Sequence, residues 1–161
     1  MPTSDVYNFR SGSVAIASTS ATPVMSVFGT AAKRLWAVGC RVKIGVTTAA
    51  AGNSMLFQLA RPANTPTGTG LASGAAQDFS APASIGQLAT AWSTAPTLGA
   101  VLAEWMVAQT TGNMWEEFPP TNDEWGIPAI ANGNANAGLH LFVTASVATS
   151  TPVFADLIGS E

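Results

Sequence analysis

"LWAVGCRVKIGV", residues 35–46, decides the fold. Trp36, Val38, Cys40, Val42, Ile44 and Val46 recur at every second position, with Gly39, Arg41, Lys43 and Gly45 between them. Successive side chains of an extended chain point to opposite faces, so a period of two makes a half-buried β-strand. A helix would scatter the same apolar residues around its axis. The alternation places Trp36 in the core and makes Cys40 an inert buried thiol.

Working outward, "SMLFQLAR" (54–61) follows "TTAAAGN", whose Gly52-Asn53 suits a turn, and the two runs are expected to form an antiparallel hairpin. "GLHLFVTASV" (138–147) aligns Leu139, Leu141, Val143, Ala145 and Val147 on one face. "PVFADLIGS" then makes a last strand, with Pro152 at its start, where a missing N–H is tolerated. Weaker strands are expected at 13–19 and 22–29, as an opening pair. Two more, at 104–110 and 113–118, form a tight hairpin across Thr111-Gly112. Residues 125–132 make an edge strand, because Pro128 would break a central ladder. About eight strands separated by turn signals predict an all-β chain folded as a single antiparallel β-sandwich.

Between the strands, residues 60–84 are rich in Gly, Pro, Thr and Ala and read as a long loop, a length that tends to be functional. Ile85, Leu88 and Trp92 stand at i, i+3 and i+7 behind a capping Ser84, which predicts one short helix near 84–92. Residues 1–12 read as an N-terminal arm. No internal repeat or linker divides the chain, so residues 1–161 form one domain. A chain of this size buries roughly 70% of its unfolded surface in a single core.

Composition narrows the function. Charged residues are 9% of the chain, against about 25% in an average soluble protein, and 47% are hydrophobic. Lone monomers usually stay soluble through interspersed surface charge, so this surface is expected to be covered by copies of itself or by a partner. The net charge of −3 and only six Lys and Arg give no basic field for nucleic acid. A single cysteine allows no internal disulfide and no cluster of thiolate metal ligands. "MPTSDVYNFR" lacks a basic start followed by an apolar run, so no secretory signal is expected. Nor does any segment approach the roughly 18 apolar residues of a membrane helix.

Chemistry is concentrated in "MWEEFPPTNDEWG" (114–126), which holds four of the nine acidic residues and two of the five tryptophans. Paired carboxylates beside indole rings suit glycoside cleavage, which needs one carboxyl with a raised pKa at a fixed distance from the other. Strand alternation separates Glu116 from Glu117, however, and Pro119-Pro120 sets Asp123 and Glu124 apart in a loop. A polar corner, a calcium site using loop oxygens and a catalytic pair all fit these residues, although the alternating calcium-loop pattern is missing. His140, the single histidine, would be the one group titrating near neutrality, and it lies in a strand among leucines, as a packed or surface residue would. No Gly-x-Ser-x-Gly, P-loop, dinucleotide fingerprint, HExxH or CxxC occurs. The expectation is therefore no enzyme and no cofactor.

The stretches "RSGSVAIASTSATPV", "AAAGNSMLFQLARPANTP", "FSAPASIGQLATAWSTAPTLGAVLAEW" and "ANAGLHLFVTASVATSTPVF" resemble small virion proteins of tailed bacteriophages. The likeness is one of texture over most of the chain: length, Ala/Thr/Gly-rich strands and few charges. It implies a jelly-roll-like sandwich that decorates or cements a capsid. It further implies a homo-oligomer, with a trimer favoured, bound to the major capsid protein or another virion protein. Such proteins are assembled into the virion in the host cytoplasm. Tyr7, Phe9, Arg10, Trp105, Trp115 and Trp125 are the candidate interface residues, since aromatic side chains and Arg dominate contact hot spots. The competing expectation is a carbohydrate-recognition module on a phage head or tail appendage, with exposed tryptophans stacking on sugar rings.

Overall fold

A computed structural model describes residues 5–30, 35–77, 81–117, 125–127 and 130–160. The described residues contain strands and no helix, in antiparallel sheets that stack as a β-sandwich. Nine strands carry the architecture: β1 (Val6–Ile16), β2 (Thr22–Phe28), β3 (Leu35–Ile44), β4 (Ser54–Pro62), β8 (Gln87–Ala89), β10 (Leu98–Ala108), β11 (Met114–Glu117), β13 (Leu139–Ala145) and β14 (Thr151–Ser160). Short pieces complete it: β5 (Thr67–Thr69), β6 (Ala72–Ser73), β7 (Ala75–Ala76), β9 (Ala91–Thr94) and β12 (Trp125–Ile127).

The first sheet runs β11-β3-β14-β1-β7, with β12 also paired to β3; the second runs β10-β4-β13-β2-β8-β6. Consecutive long strands thus cross between the sheets, except β4 and β10, which pair within the second sheet. Residues 35–46 and 54–61 do not pair as a hairpin, because β3 lies in the first sheet and β4 in the second. The same correction applies to β1 with β2 and to β10 with β11. Each of these strands has one apolar face, and crossing the sandwich lets neighbours in sequence bury those faces against each other. The ladders are instead long-range: Leu157 lies between Cys40 and Phe9, and Leu141 between Leu59 and Met25. Between the sheets lie Tyr7, Phe9, Val42, Ile44, Met55, Phe57, Leu59, Leu141 and Val153, all essentially inaccessible. Burying each large apolar side chain contributes roughly 1.5–3 kcal/mol.

In the first sheet, two bulges modify the period of two. Ile158 pairs with Gly39 and Gly159 with Ala37, so Val38 is an extra residue on β3. Even positions Cys40, Val42 and Ile44 face inward beyond the bulge, and odd positions Leu35 and Ala37 before it. Trp36 is consequently turned outward and is 38% exposed, correcting its expected place in the core. On β1 the register shifts between Arg10 and Ser13, where Gly12 takes a φ of +68°. There the Ala155 N–H donates to Ser11 Oγ at 2.9 Å, and the inward set passes from Tyr7 and Phe9 to Val14 and Ile16.

Residues 84–92 form no helix: Leu88 pairs with Val27 in the sheet, and Trp92 belongs to β9. A sheet edge was available to Leu88 and Ala89, and their burial outweighs an i, i+3, i+7 pattern only nine residues long. Residues 60–84 are likewise more than a loop, since they supply the end of β4 and all of β5, β6 and β7. Glycine there allows backbone to lie flat on aromatic rings: a Cβ on Gly74 would stand 2.7 Å from Phe9 Cε1, and one on Gly86 2.7 Å from Phe9 Cζ. Nor are residues 6–12 a free arm, because they are the first half of β1.

Candidate functional site

The two outer faces differ. On the second sheet, the β2–β13–β8 end is overlaid by the small β5–β9 sheet and the 130–138 segment, and a minor core of Phe28, Ala89, Ala137 and Ile130 forms beneath them. Gly68 is tied there by a reciprocal pair with Asn132, its N–H donating at 2.8 Å and its carbonyl accepting at 3.0 Å. For this reason β13 is buried on both faces. The outer face of the first sheet has no such cover among the described residues, and it carries the molecule's most organised surface chemistry.

Register builds that surface. Glu116 on β11 stands opposite Arg41 on β3, Arg41 opposite Asp156 on β14, and Asp156 opposite Arg10 on β1. The result is one row across four strands with charges alternating negative, positive, negative, positive. Arg41 Nε lies 2.9 Å from Glu116 Oε1, although its N–H does not point squarely at that oxygen, and Arg10 Nε lies 3.4 Å from Asp156 Oδ1. Both pairs are solvent-accessible, so each contributes at most about 1 kcal/mol to stability. The next outward row is Met114, Lys43, Phe154 and Ser13. Met114 is 59% exposed and Phe154 41%. All residues of the two rows except Ser13 line an open depression of about 430 Å³. In a chain with six basic and nine acidic residues, this one face gathers Arg10, Arg41, Lys43, Glu116 and Asp156.

The sequence-derived interface residues divide. Tyr7 and Phe9 are wholly buried, and the Tyr7 hydroxyl donates to the Pro82 carbonyl at 2.9 Å, so these are core side chains and not contact anchors. Trp105 is also core: it is 7% exposed and stacks on Phe57 at 6.3 Å and 11°. Arg10 does face solvent, in the charge row. Trp115 pairs with Val42 on the edge strand β11 and is 40% exposed at the rim of the sandwich. The backbone of Trp125 pairs with Ala37, and its side chain lies outside the described residues. Glu117's side chain and residues 118–124 also lie outside them, so of the four candidate carboxylates only Glu116 is described, paired with Arg41, and the calcium loop falls outside the described residues. Among the described residues no three His, Cys, Asp or Glu side chains gather as metal ligands.

His140 is fully buried in a polar chain. The Ala137 carbonyl, 2.9 Å from Nε2, can only accept, so Nε2 carries the proton and Nδ1 accepts from Ser26 Oγ at 2.7 Å. Ser26 Oγ in turn accepts from Trp92 Nε1 at 2.8 Å. Burial is the main cause lowering the imidazole pKa to about 4; the Ala137 hydrogen bond opposes the shift, and the Arg61 charge adds to it. The ring is therefore neutral at pH 7. The Ser–His contact is inaccessible to any substrate and serves to fasten β9 onto β2 and β13.

Met114, Lys43, Phe154 and Arg41 were absent from the sequence-derived set, yet they line the depression. A signal existed: M-x-E at 114–116, R-x-K at 41–43 and F-x-D at 154–156 each place two such residues on one strand face. What the sequence could not supply was the order that aligns the three pairs. No protein-family model matches the chain, and no curated protein is detectably similar to it in sequence.

Proposed function

We propose that this chain is a structural virion protein of a tailed bacteriophage, a capsid decoration or cement protein. It associates with itself and with a capsid subunit, and is assembled in the host cytoplasm. The observation that carries the proposal is the strand order. Taking the long strands alone, one sheet runs β1-β14-β3-β11 and the other β2-β13-β4-β10. Consecutive strands cross between two four-stranded sheets except at β4 and β10, and the last strand β14 lies between β1 and β3, an order that supports the two Greek keys of a jelly roll, the architecture of many capsid domains. The scarcity of charge supports the same proposal, as does an outer face bearing exposed Phe154 and Met114. The contact surfaces are assigned to this face and to the edge strand β10, where Leu102 and Met106 are exposed.

Jelly rolls also serve as lectins, and the exposed indoles of Trp36 and Trp115 favour carbohydrate recognition as the second proposal. One experiment separates the two. Purified chain is added to particles grown without it and sedimented, alongside a glycan array. Saturable co-sedimentation with capsids and no glycan signal supports the structural role. Glycan binding that Trp36→Ala or Trp115→Ala abolishes, with no capsid binding, supports the lectin.

A further inference from the structure

We propose that two copies of this chain meet through the outer face of the first sheet, across a twofold axis running parallel to the strands between β3 and β14. The inference rests on the proposed self-association and assigns its surface. Its basis is the charge row. A twofold axis in the plane of contact and parallel to the strands reverses the order across the sheet, so each residue of the row meets its mirror position. Glu116 then faces Arg10 of the second copy, and Arg41 faces Asp156, with every charge opposite its complement. The row is complementary to itself in this orientation alone; an axis along the row would set each charge against its own kind.

The second row obeys the same operation. Lys43 is brought over Phe154 of the other copy, a cation–π geometry, and it happens twice because the contact is isologous. Met114 meets the small Ser13. Face-to-face packing of sheets about 10 Å apart is the ordinary way such faces are covered. β1, β3 and β14, each about 30 Å long, and the four-residue β11, all about 4.8 Å apart, give a flat footprint of roughly 500 Å² per copy, or about 1,000 Å² in total, the threshold for a specific interface. Composition fits as well: exposed Phe, Met and Arg are the residues enriched at interfaces, and here they sit on and beside a charge row that sums to zero.

The test uses the full chain and two variants. Phe154→Lys places like charges across the axis and should weaken association at least about tenfold in multi-angle light scattering; because Phe154 is exposed, its fold should survive, which circular dichroism checks. The second variant swaps the whole row: Glu116→Arg, Arg41→Glu, Asp156→Arg and Arg10→Glu together. Every internal pair is kept in reverse and the row stays self-complementary, so the swapped chain should associate with itself. Against the wild type, however, each charge would meet its own sign. Native mass spectrometry of a mixture should then find same-type pairs in about tenfold excess over mixed ones. Mixed pairs at the statistical proportion would overturn the proposal. So would a Phe154→Lys variant that associates as strongly as the wild type, which leaves self-association standing on another surface. A wild type monomeric at all concentrations yet present on particles would defeat the twofold contact and spare the virion role.

Discussion

Acid should loosen this sandwich through a single imidazole. His140 takes up a proton near pH 6.5 when unfolded but only near pH 4 when folded, where burial among Ser26, Phe28 and Phe142 disfavours the cation. Between those values the unfolded chain binds more protons than the native one, so stability falls as pH falls through the window from 6.5 to 4. At 1.36 kcal/mol per pH unit the loss reaches about 3 kcal/mol by pH 4, a sizeable fraction of the roughly 5–15 kcal/mol that holds a domain together. Above pH 6.5 the group contributes no slope. Urea unfolding at pH 7, 6, 5 and 4 measures the loss, with His140→Gln as the reference that keeps every carboxylate and removes the titrating ring. The wild type should lose about 3 kcal/mol more than the variant across the series. As the sole histidine, His140 also gives an unambiguous NMR titration, with a midpoint expected near 4. Parallel stability curves, or a midpoint near 6.5, would refute the buried Trp92–Ser26–His140 chain.

Three further outcomes follow from packing. Trp105→Ala removes a buried ring stacked on Phe57 and should cost about 3–5 kcal/mol in urea unfolding, whereas Trp115→Ala at the exposed rim should cost under about 1 kcal/mol. Gly86→Ala drives a Cβ into Phe9 and Leu35 and should destabilise by about 1–3 kcal/mol, seen as a lowered melting temperature. Arg10→Ala should change stability by less than about 1 kcal/mol and by still less in 1 M salt, because its pair with Asp156 is exposed and screened.

The class of fold was legible because alternation survives any choice of partner: 35–46, 138–147 and 152–160 are strands whichever sheet they join. Pairing was not legible. Turn residues such as Gly52-Asn53 and Thr111-Gly112 look alike whether a chain doubles back within one sheet or crosses to the other. The bulge at Val38 explains why Trp36 was assigned to the wrong face, since one inserted residue inverts the inward set and leaves no mark in composition. Tyr7 and Phe9 were read as interface anchors for a related reason: a short run near the N-terminus shows its partner β14 only once the fold is known. The site was legible in pieces. Alternation separates Glu116 from Glu117, but the row that gives Glu116 meaning is written across strands as much as a hundred residues and more apart in the chain.

The virion role is tested most directly by quantitative mass spectrometry of intact, gradient-purified particles produced from the genome that encodes this chain. The proposal predicts the chain in those particles, at a fixed copy ratio to the major capsid protein that persists through a second gradient. Particles that are complete and infectious without it would contradict that role.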